Sequence, residues 1–141
     1  MKSVSDKTII MDHMDFEVAN TQNLIESNLA GRKANVIMSD MSPNVAGSPK
    51  LDHYRIVNLA LSALKFSFTN LVDHGTFICK LFHGADEKEF KNILSQNYCK
   101  INAFKPSASR SESNEFYYIC RHRKYNRKEN SKNQSEATAV V

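Results

Sequence analysis

Glycine, cysteine and long apolar runs are all scarce in this sequence, and each scarcity excludes something. Gly31, Gly47, Gly75 and Gly84 are the only four glycines among 141 residues, and no two lie close together. A clustered Gly-rich loop, with which many enzymes bring backbone up to a nucleotide cofactor, is therefore absent. The three cysteines, Cys79, Cys99 and Cys120, are odd in number, widely spaced and set in apolar segments. They read as buried thiols of a reducing compartment, which disfavours a disulfide framework or a zinc site. No stretch approaches the roughly 20 apolar residues that span a bilayer. Residues 1–7 show neither the apolar run of a secretory signal nor an obvious mitochondrial presequence.

What is present is the composition of a soluble globular protein, 41% hydrophobic and 24% charged, in a chain long enough to bury a core. Lys plus Arg number 19 against 15 for Asp plus Glu, a net charge of +4 that permits an acidic partner without requiring one.

Along the chain, Thr8 to Met11 leans to strand and ends at the polar Asp12-His13-Met14-Asp15-Phe16 segment. Leu24, Ile25 and Leu29 fall at helical spacing before Gly31, a suitable helix stop. Asn35 to Met38 is a compact apolar run that opens into Ser39-Asp40-Met41-Ser42-Pro43-Asn44, the pattern of a buried strand and its loop. Leu51 to Leu71 carries apolar residues too broadly distributed for one stripe and reads as a long, largely buried helix. After the turn residues Asp73-His74-Gly75, Thr76 to Phe82 is the strongest strand, followed by a helix over Asp86 to Asn97, a strand over Tyr98 to Phe104, a Ser-rich loop and a last strand over Glu115 to Cys120. Residues 122–141 lack apolar periodicity and read as a basic, disordered tail beyond the domain at 1–121. Alternating strands and helices predict an α/β fold with a mainly parallel sheet and an antiparallel last strand. Ligands of such sheets bind at the carboxyl ends of the strands, where Asp15, Asp40 and Lys80 fall.

Asp40, at the tip of a buried strand, has the chemistry to contact a cofactor or orient a catalytic amine, and equally to start a loop or cap a helix. Lys80, within Phe-Ile-Cys-Lys-Leu-Phe, must either snorkel to the sheet edge or sit in a cleft held by acidic neighbours. Desolvation favours its neutral form and nearby carboxylates its charged form, so Asp40 and Glu115 are the groups that would poise it for proton transfer. Glu115 opens the last strand, and an exposed strand-end glutamate is the plain alternative for it. Lys105 and Arg110, in the preceding loop, are candidates for phosphate contact or ordinary solvated charges. Arg121, Arg123, Lys124, Arg127, Lys128 and Lys132 could attract RNA in a salt-dependent way. Asp52-His53 and His83 read as structural, and the histidines lack metal-ligand spacing, so no bound metal is expected.

Four separated signatures, in order and with compatible gaps, resemble the FtsJ/RrmJ ribose 2'-O-methyltransferases. They are Val36-Ile37-Met38-Ser39-Asp40-Met41-Ser42-Pro43-Asn44; Gly47 with Leu51-Asp52 and Arg55; Phe77-Ile78-Cys79-Lys80-Leu81-Phe82; and Lys105-Pro106 through Ser109-Arg110, Ser113, Glu115 and Tyr117. The first two look closest to the branch acting on large-subunit ribosomal RNA in bacteria and mitochondria. That resemblance implies methyl transfer from S-adenosyl-L-methionine to a ribose 2'-hydroxyl, of a large-subunit uridine, by a Lys-Asp-Lys-Glu tetrad. It assigns Asp40 as the tetrad aspartate, Lys80 as the lysine that accepts the hydroxyl proton and Glu115 as the glutamate. It places Asp15, in Met14-Asp15-Phe16, at the adenine edge of the cofactor and Asp40 on its methionine side. The partner implied is ribosomal RNA or a pre-ribosomal particle, with no membrane and no metal, the complete enzyme a monomer. The branch implies a mitochondrial location, with cytoplasm or nucleus otherwise.

By the same resemblance, the first tetrad lysine and the Gly-x-x-Pro-Gly-Gly cofactor loop precede the strand matched by Thr8 to Met11 and have no counterpart here. The expectation is a partial Rossmann-like methyltransferase fold lacking its first strands, truncated at its N-terminus, with a gap between the strands at Thr8 and Asn35. The alternative function is an RNA-binding fragment that has lost the chemistry.

Overall fold

A computed structural model describes residues 8–10, 15–16, 18–43, 47–107, 114–124 and 138–140. In chain order these form β1 (Thr8–Ile10), α1 (Ala19–Leu29), β2 (Ala34–Ser39), α2 (Pro49–Asn70), β3 (Leu71–Phe82), α3 (Glu87–Asn97), β4 (Tyr98–Phe104), β5 (Glu115–Arg123) and β6 (Thr138–Val140). Local chemistry sets several of the boundaries. Ala30 and Gly31 both take the left-handed conformation that ends α1. Pro49 opens α2, where its missing N–H costs nothing.

The strands form one sheet in the order β1-β6-β2-β3-β5-β4. Every pairing from β1 to β3 is parallel, and β5 runs antiparallel to both of its neighbours. This is the mainly parallel α/β sheet that the alternation of elements predicts, with the strand that starts at Glu115 antiparallel as expected, although β6 follows it in the chain. The core lies on one side of it. Phe77, Cys79 and Leu81 of β3 alternate inward with Ile37 of β2 and Phe116, Tyr118 and Cys120 of β5. They meet Ile25 and Leu29 of α1, Val57, Ala60 and Leu64 of α2, and Phe90 and Leu94 of α3. The alternate residues of β3, Thr76, Ile78, Lys80 and Phe82, are only half-buried. That face carries the candidate site.

Three features depart from the sequence reading. First, α2 passes into β3 without a loop, and the turn expected at Asp73-His74-Gly75 is a bulge inside β3. Ala34 pairs with Leu71 and Val36 with Thr76, so the intervening residues of β3 loop outward. His74 there takes a positive φ, and a Cβ on Gly75 would meet the Leu71 side chain at 2.6 Å. Second, Cys99 is exposed, while Cys79 and Cys120 are buried as expected. Burial pushes the Cys120 thiol up to about 12 and raises that of Cys79 as well. Third, β5 continues to Arg123, and Thr138–Val140 inserts as β6 between β1 and β2, where the sequence reading leaves a gap. Residues 125–137 of the expected tail lie outside the described residues. Three residues are too few to show a period, although Thr138 and Val140 are β-branched.

Candidate active site

The register of two neighbouring parallel strands builds the centre of the site. Ser39, the last residue of β2, pairs with Cys79 of β3, so Asp40 emerges beside Lys80. Lys80 Nζ lies 3.0 Å from Asp40 Oδ1 and donates to the Asp40 carbonyl oxygen at 3.1 Å. The lysine side chain is 12% exposed and the aspartate 48%, so the pair is sunk at one end and open to water at the other. An ammonium has three N–H donors, and two are engaged by Asp40. Among the described residues, the third meets no further acceptor and is available to a group arriving from outside.

On the other side of β3, β5 contributes two residues to the same face. Tyr117 pairs with Lys80 and Glu115 with Phe82, so Tyr117 and Glu115 project together at the end where Asp40 emerges. The Tyr117 hydroxyl donates to Asp40 Oδ1 at 2.8 Å, so one carboxylate oxygen receives both the lysine and the phenol. Burial, the hydrogen bond to Asp40 and the negative charges of Asp40 and Glu115 hold that hydroxyl protonated well above the ordinary phenol range. Tyr117 is thus a donor at this site and not a base.

The structure therefore brings Asp40, Lys80 and Glu115 to one end of one sheet face. Asp15 is exposed, near the start of α1, where its carbonyl accepts the Val18 N–H at 3.3 Å. Lys105 is exposed just beyond β4, and Arg110 lies outside the described residues. Tyr117 acquires a role that residue spacing did not assign. Its signal is the alternation of Glu115, Tyr117 and Ile119 against the core positions Phe116, Tyr118 and Cys120, read together with a hairpin register.

The histidines sit away from this cluster. His53 of α2 places Nε2 3.1 Å from the Phe82 carbonyl oxygen and Nδ1 3.3 Å from Asp86 Oδ2, which ties the start of α2 to the turn between β3 and α3. His83 stacks on Phe116 and bonds Glu87, which also accepts from the Tyr118 hydroxyl at 3.0 Å. Among the described residues, no three His, Cys, Asp or Glu side chains converge as metal ligands.

Residues 1–123 match the sequence profile of the FtsJ-like methyltransferases. The chain belongs to this family. It is 40% identical over 95 residues to the ribosomal RNA large subunit methyltransferase E of Granulibacter bethesdensis, covering 67% of this chain and 41% of that protein. With the protein of the same name from Rickettsia felis it shares 40% identity over 110 residues, covering 78% of this chain and 48% of that one. This FtsJ-like chain thus spans somewhat less than half the length of these two relatives. A crystal structure of a ribosomal RNA methyltransferase from Plasmodium falciparum superposes with a TM-score of 0.63 over 79% of this chain and 58% of that one, at 23% identity, which shows a shared fold.

Proposed function

We propose that this FtsJ-like chain carries the proton-handling side of a methyltransferase that modifies a ribose 2'-hydroxyl, of a uridine, in large-subunit ribosomal RNA. The observation that carries the reading is the Asp40–Lys80–Tyr117 cluster, a deeply set lysine with two N–H groups fixed and one open. In this reading Asp40 fixes the lysine and Tyr117 fixes Asp40. Lys80 holds the substrate hydroxyl by its open position and, as the free amine, takes its proton while the oxygen becomes the nucleophile. Glu115 contributes negative charge at the same end of the face, close to where the transferred proton comes to rest.

S-adenosylmethionine, when bound, supplies an electrophilic methyl group. The half-exposed Asp40 carboxylate suits its methionine ammonium, and Asp15 suits a hydrogen bond from the adenine amino group. Isothermal titration tests this part. Heat of binding that is reduced in Asp40→Asn supports it, and no heat at millimolar cofactor rejects the enzyme reading for this chain. Methyl transfer to ribosomal RNA that is abolished in Lys80→Ala, with RNA binding retained, supports the role given to Lys80. Transfer that survives Lys80→Ala rejects it. The proposed location is the mitochondrion, and cell fractionation that finds the protein elsewhere rejects that part.

The four scattered glycines and the span of less than half of two relatives favour a second reading, an RNA-binding unit without transfer. It predicts RNA affinity with neither cofactor heat nor methyl incorporation.

A further inference from the structure

From Lys80 the same sheet face continues outward past Tyr117 to β4 and the far part of β5, which the chemistry above does not use. The antiparallel register sets Tyr117 beside Lys80 and Phe104 beside Tyr117, so one row of side chains leads from the lysine to the free edge of the sheet. Directly opposed residues of antiparallel strands share a face. At about 4.8 Å per strand, Phe104 stands roughly 10 Å from Lys80. The next positions along the hairpin pair Asn102 with Ile119 and Lys100 with Arg121.

Two features of this surface are costly in isolation. Phe104 leaves 52% of its surface in water at the sheet edge. Lys100 and Arg121, both exposed, are like charges on directly opposed positions, an arrangement that destabilises a hairpin. Among the described residues, neither is paired with a carboxylate. A planar ring beside a pair of cations is what a single-stranded nucleic acid engages, with a base on the aromatic face and a phosphate between the charges.

We propose that the outward face of β4 and β5 is a track for single-stranded RNA flanking the nucleotide held at Lys80. Phe104 stacks on a neighbouring base, and Lys100 and Arg121 share a backbone phosphate. The track rests on the RNA reading of the Lys80 site and adds where the strand runs. A protein partner is the competing occupant. The paired like charges and the continuity of the row with Lys80 favour RNA over it.

Anisotropy of a labelled single-stranded RNA, titrated with the full chain at several salt concentrations, tests the track. Phe104→Leu, which keeps an apolar side chain but removes the ring, is expected to weaken binding roughly fivefold or more, while Phe104→Trp retains it. The double variant Lys100→Gln, Arg121→Gln should lower the slope of log affinity against log salt by about 0.7, the value for the one phosphate that the two cations share. Lys65→Gln, which removes a charge from exposed α2 surface, should leave affinity unchanged. RNA bound equally well by the Phe104→Leu and double variants overturns the track while the RNA reading stands. An equal loss in Lys65→Gln also overturns it, by showing diffuse attraction. A change of oligomeric state in the patch variants without a change in RNA affinity assigns the face to a protein contact instead. No RNA binding by the unaltered chain at low salt removes the RNA reading itself and the track with it.

Discussion

One oxygen of Asp40 receives both the Lys80 ammonium and the Tyr117 hydroxyl. The carboxylate is half-exposed, so water can partly replace the phenol if it is lost, and the effect should fall at the low end for a hydrogen bond to a charged group. Tyr117→Phe is therefore expected to slow methyl transfer by about tenfold with little change in thermal stability, as single-turnover kinetics and a melting curve would show. An unchanged rate would remove Tyr117 from the site. Tyr98 tests burial at the same scale. It packs against Phe77 in the core, its hydroxyl 3.4 Å from Ser67 Oγ, and burial first of all pushes its phenol up to about 12. An unfolded tyrosine ionises near pH 10. The folded state thus holds its proton longer, and stability present below about pH 10 is lost as the pH rises toward 12. The melting temperature should fall across that window and fall less steeply in Tyr98→Phe. Ser67 Oγ still donates to the Leu64 carbonyl oxygen in that variant, so no buried hydroxyl is stranded.

At the scale of elements, much of the architecture was legible from periodicity. β3 reads as a strand because Phe77, Cys79 and Leu81 alternate with polar or half-exposed positions, and α2 because its apolar residues are too dense for a surface stripe. Asp40 and Lys80 were legible as strand-end polar residues out of pattern. Tyr117 was not, since its partner across β3 is fixed by register and not by its own neighbours. The bulge at His74 looks like a turn in the sequence because a local signal for chain reversal and one for an outward loop use the same residues. The tie between α2 and the β3–α3 turn was equally hidden, since His53 reaches Phe82 and Asp86 only in three dimensions. It makes a sharp prediction. A Cβ at Gly84 would overlap the His53 ring. Gly84→Ala should displace the histidine and cost about 1–3 kcal/mol in urea denaturation. His53→Ala should remove most of that penalty when combined with it. Additive losses would show that the clash lies elsewhere.

For the whole molecule, the sheet is closed at its β1 side by a strand from the far end of the chain. Among the described residues, β1 pairs with β6 alone, and β6 joins it to β2. Removing residues 138–141 should expose the amides of Thr8, Ile9 and Ile10 to rapid hydrogen exchange, while Phe77 to Leu81 in the middle of the sheet keep their protection. Continued protection of β1 in the shortened chain would mean that another segment holds it.

That closure also fixes an order of events in synthesis. Among the described residues β1 pairs only with β6, whose Thr138 lies 130 residues after Thr8, so β1 stays unpaired until that segment has been made and has cleared the exit tunnel. The helical layer and the β2–β3–β5–β4 part of the sheet can assemble before then, because their pairings are complete by Arg123. Until β6 arrives, the nascent chain presents β2 as an open parallel edge, the kind of edge that templates association between chains.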